Sequence, residues 1–314
     1  MTDPVETPGE ESDAPRTDVR RAARERAQQL RVLQRRKDRR TTWLLRGAVI
    51  GGIAVALGIV AIALVNFIQP PGRGPQNMLS DGIRFSTELE PVRTGGLGPG
   101  DAPVATETTD PNAIDIRIYV DYLSATAGDF ERTNGEQIRT WVESGLATVE
   151  IHPIATLTGQ SAGTQYSSRA ANAAACVAEF APASFYAYNE LLLLDQPVEG
   201  EAGFEDSELI RRAEQAGAGT STRLTNCIES VRFKTWVQEA TDRAVNGPLP
   251  GTDLAAVSTI PTVLVNGQQY QYVGEPDPDE FARFIVQIGG SAFNQESTET
   301  PEPTEEPSEE PADE

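Results

Sequence analysis

Along residues 81–290 the apolar positions recur with two periods in turn, two residues and about 3.6 residues, and this alternation marks out the elements of a domain. "GIRFSTELEPV" (82–92) alternates loosely and predicts a first strand. "IDIRIYVDY" (114–122) is dense in β-branched and aromatic residues and predicts a buried strand. Residues 129–144 place Phe130, Ile138, Trp141 and Val142 on one helical face. "ATVEIHPIA" (147–155) returns to strand. Strand, helix and strand at this spacing predict a right-handed parallel crossover.

Residues 165–246 predict a mainly helical region. "SSRAANAAACVAEFAP" ends at Pro182, and "SFYAYNELLLL" continues the pattern. "DSELIRRAEQAG" has Asp206 or Ser207 as its cap and Gly217 as its stop. "STRLTNCIESVRFKTWVQEATDRAV" holds one or two further helices. "PTVLVNG" (261–267) is a strand, Asn266-Gly267 a hairpin turn, and "QQYQYVG" its antiparallel return. The last helix has Asp277 as cap, Pro278 at its first position, Glu280 for a capping box and Gly289 as terminator. Phe281, Phe284, Ile285 and Ile288 form its buried stripe.

The flanks change the picture. "GAVIGGIAVALGIVAIALV" (47–65) is 19 residues without a charge. As a helix it spans roughly 28 Å, about one bilayer core, so 47–68 is expected to cross a lipid bilayer. Trp43 and Phe67 flank it as interfacial aromatics do. A cleaved signal peptide is the competing reading, but "NFIQPPG" offers no small-residue cleavage site. Residues 1–46 hold 12 Lys/Arg and 8 Asp/Glu, against a net charge of −21 for the whole chain. The positive-inside rule therefore puts 1–46 in the cytoplasm and the rest outside it. Residues 69–80, "QPPGRGPQNMLS", are expected as a Pro/Gly linker, and 291–314 as a disordered acidic tail. The acidic body argues against nucleic acid as a partner.

Chemistry is sparse. The turn after "IDIRIYV" is Ser124-Ala125-Thr126-Ala127, with two hydroxyls and no stronger nucleophile. Cys176 and Cys227 are the only cysteines, and outside the cytoplasm an even count favours a disulfide. Closing that loop would stabilise the fold by roughly 4 kcal/mol in the chain-entropy model. His152 is the only histidine and reads as structural, since a lone histidine makes no metal site by itself. No nucleotide-binding motif is present, and no cofactor or metal is expected.

The order β-α-β, helical region, β-β-α is that of an α/β thioredoxin fold with an inserted helical domain. "IYVDYLSATAGDFE" resembles the strand-to-helix turn of DsbA-like thiol:disulfide oxidoreductases. "STIPTVLVNG" resembles their cis-proline loop, and "SSRAANAAACVAE" the first helix of their insertion in membrane-anchored actinobacterial members. The resemblance covers roughly residues 80–290. It implies a cis Ile260-Pro261 bond, a peptide-binding ledge at Ile260 and Pro261, and a structural bridge between Cys176 and Cys227. It also implies Cys-x-x-Cys at the turn, where this chain has Ser124 and Ala127.

A helix N-terminus stabilises a thiolate, and the thiolate attacks a disulfide. Serine and alanine offer neither step. The expectation is a redox-inactive binding or scaffold module for exported polypeptides. One alternative is a disulfide oxidoreductase acting through Cys176/Cys227 or partner thiols. Another is a serine-dependent glutathione site like that of the kappa-class glutathione transferases and hydroxychromene-carboxylate isomerases, which share the fold. Ser124, Thr126 and Asp129 are otherwise helix caps.

Overall fold

A computed structural model describes residues 72–107, 110, 112–272 and 274–296, all within the unit Pro70–Glu314. The expected cytoplasmic segment, the apolar run 47–68 and the tail beyond 296 lie outside these residues. Among the described residues no helix is long and apolar enough to cross a membrane.

Six strands form one sheet: β1 (Ile83–Ser86), β2 (Glu90–Pro91), β3 (Ile114–Val120), β4 (Ala147–Pro153), β5 (Thr262–Val265) and β6 (Gln268–Tyr270). Their order is β2-β1-β4-β3-β5-β6. β3 and β4 pair in parallel across helix α1 (Ala125–Glu143), as the crossover spacing predicts. The other pairs are antiparallel. The predicted first strand is broken in two by a 3-10 turn at Thr87–Leu89, where Glu88 and Leu89 take positive φ. Asn266 and Gly267 both have positive φ, which suits the tight hairpin between β5 and β6.

Five helices fill the region between β4 and β5: α2 (Tyr166–Phe180), α3 (Phe185–Leu194), α4 (Asp206–Gln215), α5 (Thr222–Glu229) and α6 (Lys234–Asn246). α2 is buried nearly all round and touches the other four, because its alanines let neighbouring backbones approach. α7 (Pro278–Glu296) closes the chain, and Asp277 caps it through the Asp279 N–H at 2.9 Å.

Three expectations need correction. Residues 72–80 are not a free linker. Met78 is fully buried, the Asn77 side chain donates to the Ala178 carbonyl at 2.9 Å, and Gly74 N–H donates to Leu97 at 2.9 Å. A Cβ on Gly72 would lie 2.7 Å from the Trp236 backbone nitrogen, so the glycine permits close approach rather than flexibility. The last helix does not stop at Gly289 but continues to Glu296, which takes 291–296 out of the expected disordered tail. A Cβ on Gly289 would already touch Ile114 at 3.4 Å, so that residue serves helix-to-strand packing instead of capping.

Side-chain alternation gives the sheet two unlike faces. Ile83, Phe85, Ile116, Ile118, Val120, Val149, Ile151, Val263 and Val265 point into the main apolar core. The other face carries Arg84, Asp115, Arg117, Tyr119, Glu150 and His152, and it too is buried, under irregular segments from 79–106 and 249–257. Arg84 sits 2.9 Å from both Asp115 and Glu150, and Arg117 reaches Asp115 at 2.8 Å. Ser80 and Thr106 donate to the remaining Glu150 oxygen. Burial opposes ionisation of Glu150, but His152, the Arg84 guanidinium and the Ser80 hydroxyl together hold its carboxyl far below the usual range.

Candidate functional site

The Ser124–Ala127 turn lies between the C-terminal end of β3 and the N-terminus of α1, where a helix presents unpaired N–H groups. Ser124 is the N-cap, and its Oγ accepts from the Ala127 N–H at 3.4 Å. Its carbonyl also accepts from Ala127 and Gly128. The side chain is 5 % exposed, so the capping role leaves little of it for a ligand. Asp129 does not cap the helix; it forms an exposed pair with Arg132 at 2.5 Å. Ala127 is buried.

Thr126 has a different task. Its hydroxyl lies 2.9 Å from Ser124 Oγ and donates to the Ile260 carbonyl at 2.6 Å. Ile260-Pro261 is cis, as the resemblance implies. The structure thus brings Ser124 and Thr126 against the cis-proline loop. The Ile260 N–H has no hydrogen-bond partner among the described residues.

Two further residues hold this turn, and sequence reasoning missed both. Gln196, from the loop after α3, donates to the carbonyls of Tyr122 at 3.1 Å and Ser124 at 2.9 Å. A Cβ on Gly128 would lie 2.2 Å from Gln196 Oε1 and 2.8 Å from the Leu193 carbonyl, so glycine at 128 is what lets that loop sit so close. Asp121 is fully buried and accepts from Leu123 N–H (3.0 Å), Leu157 N–H (2.8 Å), Ser167 Oγ (2.7 Å) and Thr156 Oγ1 (3.1 Å). Burial still pushes its carboxyl above the usual value, against these bonds. It ties the turn to β4's exit and to α2. Nothing in the pattern "VDYLS" marks this aspartate, since its partners are up to 46 residues away.

Glu131 lies on the second turn of α1 in an apolar pocket with Ile118, Val120, Ile138, Val149 and Ile151. Burial, aided by Glu190 and opposed by Arg139, raises its carboxyl to about 7.

Cys176 on α2 and Cys227 on α5 form a disulfide with Cα atoms 5.9 Å apart, and both are buried. No free cysteine is present. The sulfurs are therefore in the helical insertion and not at the turn. His152 is 2 % exposed and stacks on Tyr119. Among the described residues no cluster of His, Cys, Asp and Glu is arranged to hold a metal ion.

No curated protein matches the chain. DsbA from Mycobacterium tuberculosis in its reduced form is similar at 26% identity and a TM-score of 0.48, over 69% of this chain and 100% of that one. The reduced disulfide bond oxidoreductase DsbG from the same organism is similar at 27% identity and a TM-score of 0.49, over 69% and 93%. MdbA, a thiol-disulfide oxidoreductase from Actinomyces oris, is similar at 17% identity and a TM-score of 0.43, over 56% and 81%. A family model described as thioredoxin matches residues 111–287, more than half of the chain, and the chain belongs to that family, with a helical region inserted between β4 and β5.

Proposed function

We propose that this protein is a redox-inactive member of its family, anchored in a membrane through 47–68, that binds exported polypeptides at the cis-proline ledge. The observation that carries the reading is the turn itself. Ser124 and Ala127 supply no sulfur, yet Thr126 keeps the turn bonded to the Ile260-Pro261 loop. Serine forms no exchangeable bond to sulfur, and alanine cannot resolve a mixed disulfide. The only two cysteine sulfurs are bonded to each other inside the helical region, out of reach of a protein thiol. The Ile260 N–H remains open to an extended peptide's carbonyl, in the manner of strand addition. The engagement of Ser124 as a cap disfavours a glutathione-type site.

The test is thiol–disulfide exchange by the full-length protein, as insulin reduction and as oxidation of reduced ribonuclease. A Ser124→Cys/Ala127→Cys double variant is the positive control. The natural protein is expected to be inert and the double variant active. Turnover by the natural protein would overturn the reading and make Cys176 and Cys227 the reactive pair. Binding of an unfolded, thiol-blocked polypeptide, weakened by Ile260→Pro, is expected alongside.

A further inference from the structure

Besides Arg84 Nε and Asp115 Oδ1, the polar face of the sheet has three unpaired polar atoms together at the C-terminal ends of β3 and β4, among the described residues. There Tyr119 and His152 are register partners whose rings stack with centroids 4.3 Å apart. They are 3 % and 2 % exposed. Among the described residues the Tyr119 hydroxyl and both ring nitrogens of His152 have no hydrogen-bond partner. His152 Nε2 is 3.8 Å from Glu150, close enough to favour the ionised carboxylate but beyond hydrogen-bond distance. Buried polar groups left unpaired are costly, so three together call for a ligand.

Both side chains line a pit with room of about 10 Å³, enough for one water-sized group. Pro103, Arg243, Pro248, Leu249 and Pro250 also wall this pit, and the same five line an open cleft of about 460 Å³. That volume lies in the range of small-molecule sites, roughly 300–1,000 Å³. The pit adjoins the cleft across these five residues.

The chemistry narrows the ligand. The Asp81 and Arg243 charges that line the pit are already matched: Arg243 donates to both Asp81 oxygens at 2.7 and 2.8 Å. A charged head would be buried without a partner, so a neutral one is favoured. A hydroxyl can both donate and accept, so it can pair with the Tyr119 hydroxyl and an imidazole nitrogen together, whereas a carbonyl can only accept. Burial raises the Tyr119 phenol, which keeps its proton available. The proline rings and Leu249 suit a flat apolar body.

We propose that the cleft and pit form a second binding site for neutral ring alcohols of the phenol class, with the hydroxyl oxygen in the pit between Tyr119 and His152 and the ring against Pro103, Pro248 and Leu249. Neither Ile260 nor Pro261 lines the pit or the cleft.

Phenol is titrated into the full-length protein by ligand-observed NMR, with benzene as the probe lacking a head group. Tyr119→Phe keeps the ring stack and removes one hydrogen bond. Phenol is expected to bind saturably and better than benzene, and Tyr119→Phe to weaken it roughly 3- to 10-fold. A phenol-soaked crystal is expected to show the hydroxyl in the pit. No saturable phenol binding, equal binding of benzene, or a lone water in the pit of the soaked crystal would each overturn the proposal.

Discussion

Replacing Glu131 by glutamine should make the protein more stable at pH 8 and not at pH 4.5. The carboxyl shares its pocket with isoleucines, valines, Tyr186 and Asn189, and no hydrogen bond reaches it from the described residues. Burial first, and Glu190 second, raise it from the ordinary 4.5 to about 7. In an unfolded chain it ionises at its ordinary value. Below 4.5 both states hold the proton, and Glu131 costs nothing for its charge. Between 4.5 and 7 only the folded state holds it, so stability falls as pH rises, by about 1.4 kcal/mol per pH unit at most. Above 7 the full cost of the buried anion is present, about 3 kcal/mol as an upper figure. Glutamine removes the charge but leaves a buried amide, which offsets about 1 kcal/mol of the gain. Urea unfolding of natural and variant proteins at pH 4.5, 6 and 8 reads the difference directly. The variant is expected to gain roughly 2 kcal/mol at pH 8 and to be equal or weaker at pH 4.5. A difference that does not change with pH would refute the reasoning, because the folded carboxyl would then titrate as an exposed one does.

The opposite sign holds for Glu150, whose carboxyl is held far below the usual range; its contribution is present at neutral pH and is lost as pH falls through its folded value. Glu150→Gln leaves one carboxylate, Asp115, for the two buried guanidinium groups of Arg84 and Arg117 and should cost about 3–5 kcal/mol, read as a lowered urea midpoint at pH 7. Cys176→Ser/Cys227→Ser should cost roughly 4 kcal/mol by the same assay. In the natural protein the bridge should resist dithiothreitol until the domain unfolds, since both sulfurs are buried; thiol labelling followed by mass measurement checks this.

Periodicity within a short window carried a good deal of this protein. β3, the parallel crossover to β4, the Asn266-Gly267 hairpin and the helical region all follow from local spacing, because each depends on neighbours a few residues away. The missing sulfurs at 124 and 127 are a matter of residue identity and needed no coordinates. The cis Ile260-Pro261 bond and the Cys176–Cys227 bridge were legible through resemblance.

Tertiary structure decided what depends on distant partners. Arg84, Arg117, Glu150 and His152 alternate with apolar residues, as on strands with one solvated face; only the covering segments and the mutual pairing of the charges make that face interior. Glycines in 72–80 suggest a free linker until Trp236, more than 150 residues away, is seen against them. Thr126 could be assigned as a cap from sequence, but its bond to Ile260, 134 residues on, appears only when β3 and β5 pair. Local pattern sets which backbone a segment can adopt. Whether a polar group ends in water or in a partner's reach is set by long-range contacts, for which a single sequence carries no period.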